Sequence, residues 1–128
     1  MSFKSGNAGY GSTASAANWS IGANSGLTTQ GNGSWSPSWL AFPNGTHCAF
    51  IQGDNAGSTV TQTVNVPVAG LYRLSFHHAA RVVNDITKSG LRVRVLMDGQ
   101  YIGYVTGWSM AFEISTFDIP LTKGEHVL

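Results

Sequence analysis

The chain has little charge, almost no cysteine and no long apolar run, and each shortage removes a class of function. Seven Lys/Arg and six Asp/Glu make up 10% of its 128 residues and leave a formal net charge of +1. The cations are scattered, so no basic stripe is available to neutralise a phosphate backbone or an anionic membrane surface. Nucleic acid is therefore not an expected partner. Cys48 is the single cysteine, which excludes an internal disulfide and a multi-cysteine metal knuckle; a lone thiol with apolar neighbours reads as a small buried hydrophobe. Nowhere is there an apolar run of the roughly 18 residues that a spanning helix requires, nor a stretch of signal-peptide type after Met1. Membrane insertion is not expected.

Catalytic signatures are missing as well. There is no nucleophile elbow, P-loop or dinucleotide fingerprint, and no His-Glu-x-x-His. A glycosidase needs two carboxylates flanking one bond. Asp54, Asp85, Asp98, Glu113, Asp118 and Glu125 fall mostly in turns or near strand ends, without a paired motif. His77 and His78 are adjacent on a predicted strand and point to opposite faces, so they cannot share a metal from there. The expectation is a non-enzymatic protein.

What the chain has is glycine, small polar residues and short alternating runs. Sixteen glycines and 42% hydrophobic residues, with many Ser, Thr and Asn, fit short strands joined by polar turns. The length suits one domain, taken as residues 1–128. Residues 1–38 are weakly periodic, with strands arguable only near Trp19–Ile21 and Leu27–Gln30. Cys48–Gln52 reads as a strand and the Gly-rich cluster at 53–57 as a turn.

Thr59–Val66 alternates, with Val60, Val64 and Val66 on one face and Thr59, Thr61, Thr63 and Asn65 on the other. After a turn at Pro67–Gly70, Leu71–Arg81 alternates again, Tyr72, Leu74, Phe76, His78 and Ala80 facing the core and Arg73, Ser75, His77 and Arg81 facing out. Leu91, Val93, Val95 and Met97 oppose Arg92 and Arg94. Asp98-Gly99 follows at once, a strong hairpin signal because a type I′ turn requires positive φ at both central residues. Ile114–Leu121 supplies another strand, and Gly124 starts a turn into His126-Val127-Leu128. With no helical period, about eight short antiparallel strands predict an all-β sandwich or small barrel.

The ordered runs Cys48-Ala49-Phe50-Ile51-Gln52-Gly53, Val60-Thr61-Gln62-Thr63-Val64, Ala69-Gly70-Leu71-Tyr72-Arg73-Leu74-Ser75-Phe76, Ala79-Ala80-Arg81 and Val93-Arg94-Val95-Leu96-Met97-Asp98-Gly99 resemble the galactose-binding-like jelly-roll superfamily, as do Ile119 to Leu128. The resemblance covers roughly residues 42–128. It implies a β-sandwich jelly roll acting as a carbohydrate-binding module, extracellular or at the cell surface. Such a module attaches a parent enzyme or surface protein to a polysaccharide or glycan and performs no chemistry. Many relatives hold a structural calcium on acidic residues near the first strand; this chain has no Asp or Glu in residues 1–47. The alternative is a structural or adhesive domain of a phage tail or cell-surface fibre.

Sugar recognition needs an aromatic plate for the C–H face of a pyranose and planar polar groups for its hydroxyls. Trp35 and Trp39, in Gly-Ser-Trp-Ser-Pro-Ser-Trp, and Trp108, in Thr-Gly-Trp-Ser-Met, are the candidate plates; the other reading folds each ring over the end of the sandwich. Arg81, Asn84 and Asp85 form the candidate polar cluster, with an Arg81–Asp85 surface ion pair as the alternative. Trp19 is expected in the core, and Gln52 and Gln62 are expected to be buried with internal hydrogen-bond partners.

Overall fold

In the computed structural model, the described residues are 6–7, 9–10, 15–16, 18–30, 41–52, 57–80, 92–106 and 111–128. Among them there is no helix, and hence none long and apolar enough to cross a membrane. The strands are β1 (Gly6–Asn7), β2 (Gly9–Tyr10), β3 (Ser15–Ala16), β4 (Trp19–Ile21), β5 (Ser25–Thr29), β6 (His47–Ile51), β7 (Val60–Val66), β8 (Gly70–His78), β9 (Arg92–Met97), β10 (Gln100–Thr106), β11 (Glu113–Leu121) and β12 (Gly124–Val127). Every pairing is antiparallel.

The alternating segments pair in a nested order: β7 with β12, β8 with β11 and β9 with β10. The described strands of the second half thus pair like the arms of one long hairpin. β7 also takes β4 on its other edge, continuing through β3 to β1, while β5 lies between β2 and β6. Backbone bonds extend the ladders beyond the strands, from Gly22 N–H to Thr59 O (2.8 Å) and reciprocally between Gln62 and Leu128 (both 2.8 Å).

Burial follows the parity expected from the pattern. Along β8 and the two residues after it, Tyr72, Leu74, Phe76, His78 and Ala80 are wholly or partly buried, while Arg73, Ser75 and His77 are exposed. On β9, Val93, Val95 and Met97 turn inward and Arg92, Arg94 and Leu96 outward. Val66, Val95, Met97, Val105 and Ile119 join Leu27, Phe42 and Ala80 as the buried apolar residues. Phe76 and Phe117 stack at 6.1 Å between centroids, and Phe42 meets Phe112 edge-on at 5.9 Å.

Three regions differ from the sequence-based expectation. The weakly periodic first third contains two-residue strands, β1 to β3, that no pattern of this length can announce. Gly124, expected in a turn, instead begins β12 with a φ of 132° that suits only glycine. Among the strands whose burial is described, the most enclosed is β5, although its sequence is Ser-Gly-Leu-Thr-Thr: Ser25, Leu27 and Thr28 are 0, 2 and 1% exposed. β6 pairs along the whole length of β5 and β2 covers Gly26 and Leu27 on the other edge, and the small side chains of β5 allow close approach. Ser25 Oγ and Gln62 Oε1 are nevertheless buried without a hydrogen-bond partner, so for Gln62 the expected internal partner does not reach the amide oxygen.

The tip of the β9–β10 hairpin is clamped to β12. Asp98 and Gly99 have φ of 52° and 75°, as a type I′ turn demands. Asp98 N–H donates to Val127 O (2.8 Å), and Asp98 Oδ1 accepts from Val127 N–H (2.8 Å). Asp98 Oδ2 lies 2.6 Å from Nδ1 of the buried His126, whose Nε2 lies 2.8 Å from Thr122 O. A carboxylate and a carbonyl only accept, so the ring satisfies both by donating from both nitrogens, as the imidazolium. Hydrogen bonding to Asp98 accordingly raises the His126 pKa above its ordinary value, and the same bond lowers that of Asp98.

Two expectations follow from this packing. Because the His126 pKa is raised on folding, its contribution is complete below the ordinary value of 6.5 and is lost as pH rises through the folded value. Asp98, with a lowered pKa, contributes above its ordinary 3.8 and loses that contribution as pH falls through the folded value. Urea midpoints should therefore peak between those pH values and fall on either side. His126→Ala should flatten the alkaline limb, whereas parallel profiles for parent and variant would remove the clamp from the account.

The second concerns Gly103, where an added Cβ would sit 2.6 Å from Phe117 Cε1. Gly103→Ala should lower stability by about 1–3 kcal/mol through overpacking, read as a reduced urea midpoint at constant m. An unchanged midpoint would mean that the ring moves aside freely.

Candidate functional site

The six residues singled out from the sequence, Trp35, Trp39, Arg81, Asn84, Asp85 and Trp108, lie outside the described residues. Among the described residues, the chemistry sought for sugar recognition gathers instead on the outward face of β9–β10.

The register explains how. Val105 pairs with Val93, Tyr104 with Arg94, Gly103 with Val95, and then the ladder shifts so that Tyr101 pairs with Leu96 and Gln100 with Met97. Tyr101 and Tyr104 are three residues apart, a separation that places side chains on opposite faces of a regular strand. The bulge inserts Ile102 as the extra residue and restores the parity. Both tyrosines consequently point outward, 59% and 49% exposed, opposite the exposed Leu96 and Arg94. Arg92 is also exposed, with its guanidinium carbon 5.0 Å from the centre of the Tyr104 ring.

This face was missed in the sequence because alternation alone assigns the two tyrosines to opposite sides. Gly103 was the available signal, since a lone glycine inside a strand pattern suggests a bulge. The structure shows why glycine stands there: the Phe117 ring of β11 packs directly against its backbone.

The β8–β11 outward face is different in kind. Leu71 and Ile114 are exposed there, but Arg73 and Asp118 lock each other in a bidentate pair, Nε to Oδ1 at 2.7 Å and Nη2 to Oδ2 at 2.9 Å. Its arginine is already engaged by a carboxylate. His78 turns the other way and bonds through Nε2 to Ser115 Oγ at 2.8 Å.

A second concavity, open and about 300 Å³ in volume, is lined by Asn18, Trp19, Ser20, Thr61 and Thr63. Trp19 is half-buried; its register opposite Gln62 turns its side chain to the inward face of β7, with Val60 and Val64, while Ser20 pairs with Thr61 on the pocket side. Among the described residues, the pocket offers an amide and hydroxyls and no charged group.

No three His, Cys, Asp or Glu side chains converge among the described residues. Burial pushes the Cys48 thiol up to about 11, which leaves it protonated and unreactive near neutrality. Asp98 and Asp118 are both held below the usual carboxylate range, by His126 and by Arg73; a glycosidase acid needs the opposite shift. Set against family models, curated proteins and solved structures, the chain matches none.

Because Tyr101 and Tyr104 are exposed and outside the buried core, Tyr101→Ala and Tyr104→Ala should each change stability by no more than about 1 kcal/mol. Thermal denaturation of the two variants checks this, and a larger loss would make the rings structural.

Proposed function

We propose that this domain is a non-catalytic carbohydrate-binding module of the galactose-binding-like jelly-roll type, attaching a parent extracellular enzyme or surface protein to a polysaccharide or glycan. The observation that carries the reading is the β9–β10 face, where two exposed tyrosine rings stand beside two exposed arginines on a backbone braced by the Asp98–Gly99 turn. Aromatic faces take the C–H surface of a sugar ring, and phenol and guanidinium groups take its hydroxyls. A site on paired strands also holds its geometry better than one on loops.

Two features of the fold support the jelly-roll part of the reading. The nested pairing of β7 to β12 is that of a long hairpin wound up, which is how a jelly roll is built. Tyr72, two residues into β8, donates its hydroxyl to Val68 O at 2.6 Å, similar to the tyrosine corner of Greek-key sandwiches. The structural or adhesive alternative draws on Leu71 and Ile114, 71% and 63% exposed on the β8–β11 face.

Affinity electrophoresis against a panel of soluble polysaccharides tests the reading, with Tyr101→Ala and Tyr104→Ala beside Trp35→Ala, Trp39→Ala and Trp108→Ala. The expected result is retardation of the parent by at least one glycan and loss of that retardation in the folded tyrosine variants. Loss confined to a tryptophan variant would keep the function and move the site. Absence of retardation by every glycan, with concentration-dependent self-association, would favour the adhesive reading instead.

A further inference from the structure

We infer that the β9–β10 face selects acidic glycans, those carrying carboxylate groups on the sugar, over neutral ones. The inference rests on the glycan-binding reading and adds the charge of the ligand.

The cations on the described surface differ in what holds them. Arg73 is neutralised by Asp118 through two short bonds. Arg92 and Arg94 have no carboxylate within ion-pair distance among the described residues. Their own strands contain no Asp or Glu, since β9 reads Arg-Val-Arg-Val-Leu-Met and β10 reads Gln-Tyr-Ile-Gly-Tyr-Val-Thr. The acid at the hairpin tip, Asp98, is occupied by His126 and the Val127 N–H. The face therefore presents two positive charges without compensation from the described residues, on a chain whose formal net charge is only +1.

Geometry gives those charges a use. Arg92 and Arg94 are alternate residues of one strand, so their Cα atoms stand roughly 6.5–7 Å apart on the same face. The Arg92 guanidinium lies near the Tyr104 ring, 5.0 Å from its centroid. A guanidinium held by cation–π attraction keeps N–H groups for an incoming acceptor, and a carboxylate matches its donor fork bidentately. A neutral hydroxyl accepts only single, uncharged hydrogen bonds. Tyr101, paired with Leu96 two rungs toward the turn, extends the platform along the glycan. Two cations are too few to hold a nucleic-acid backbone, whose affinity is built from many phosphate contacts.

The test is isothermal titration calorimetry of the whole chain with polygalacturonate, alginate and hyaluronate, each beside its carboxyl-reduced form, and with oligothymidylate and the neutral panel. The expected result is binding to at least one acidic polymer that weakens about tenfold or more on carboxyl reduction and weakens with added salt. Arg92→Gln and Arg94→Gln should remove that preference while leaving any residual affinity for the reduced polymer. Tyr101→Ala should lower affinity for both forms.

Equal binding of acidic and reduced polymers, or binding of neutral glycans alone, would overturn the acidic preference and leave the module reading intact. An acidic preference that survives in both arginine variants would place the selectivity elsewhere and overturn the inference. Oligothymidylate binding as tight as that of any glycan would do the same. No binding to any polymer would end both readings.

Discussion

A two-residue corner that holds both of its residues at positive φ anchors much of the described structure. Asp98 and Gly99 set the register of β9 against β10, and Asp98 then uses its backbone N–H and both carboxylate oxygens to hold β12. Through β12 the hairpin is tied to β7 and through β7 to β4. The charge needed for this arrangement resides on His126, which is buried between an acid and a carbonyl and can satisfy both only as a cation. A glycine in place of Asp98 would satisfy the turn and keep the backbone N–H bond to Val127 but lose both carboxylate bonds.

The same hairpin decides what the protein shows to solvent. A single extra residue, Ile102, brings Tyr101 and Tyr104 to one side, and the missing side chain of Gly103 admits Phe117 on the other. One bulge thus serves packing and presentation together: the inward face seats against β11, and the outward face gains a second ring. The contrast with β8–β11 is electrostatic. There the cross-strand partner of Arg73 is Asp118, whereas the cross-strand partner of Arg94 is Tyr104, so one face closes on itself and the other leaves its cations available.

Much of the strand content was legible. Alternation located β7, β9 and β11 to within a residue and β8 to within three at its end, because each has one face against apolar neighbours and one toward water. The fragments β4, β5 and β6 were placed near Trp19, Leu27 and Cys48. The two-residue strands β1 to β3 are too short for a period, and the enclosure of Ser25 and Thr28 depends on strands pairing along both edges of β5, which composition does not encode. Trp19 reads as a core residue by type, and its register opposite Gln62 turns it to the inward face of β7. For the site, the sequence directed attention to Trp35, Trp39, Arg81, Asn84, Asp85 and Trp108, and alternation concealed the tyrosine pair.

By itself, then, the sequence determined an all-β chain, the inward and outward faces of its regular strands, and the Asp98-Gly99 corner, because each of these follows from local backbone preference and a period of two. The tertiary structure alone decided which strands pair, that Asp98 meets His126, and that Tyr101, Tyr104, Arg92 and Arg94 share one surface. Those outcomes depend on contacts between residues distant in the chain and on a one-residue shift of register, and a shift of one residue exchanges the two faces of a strand.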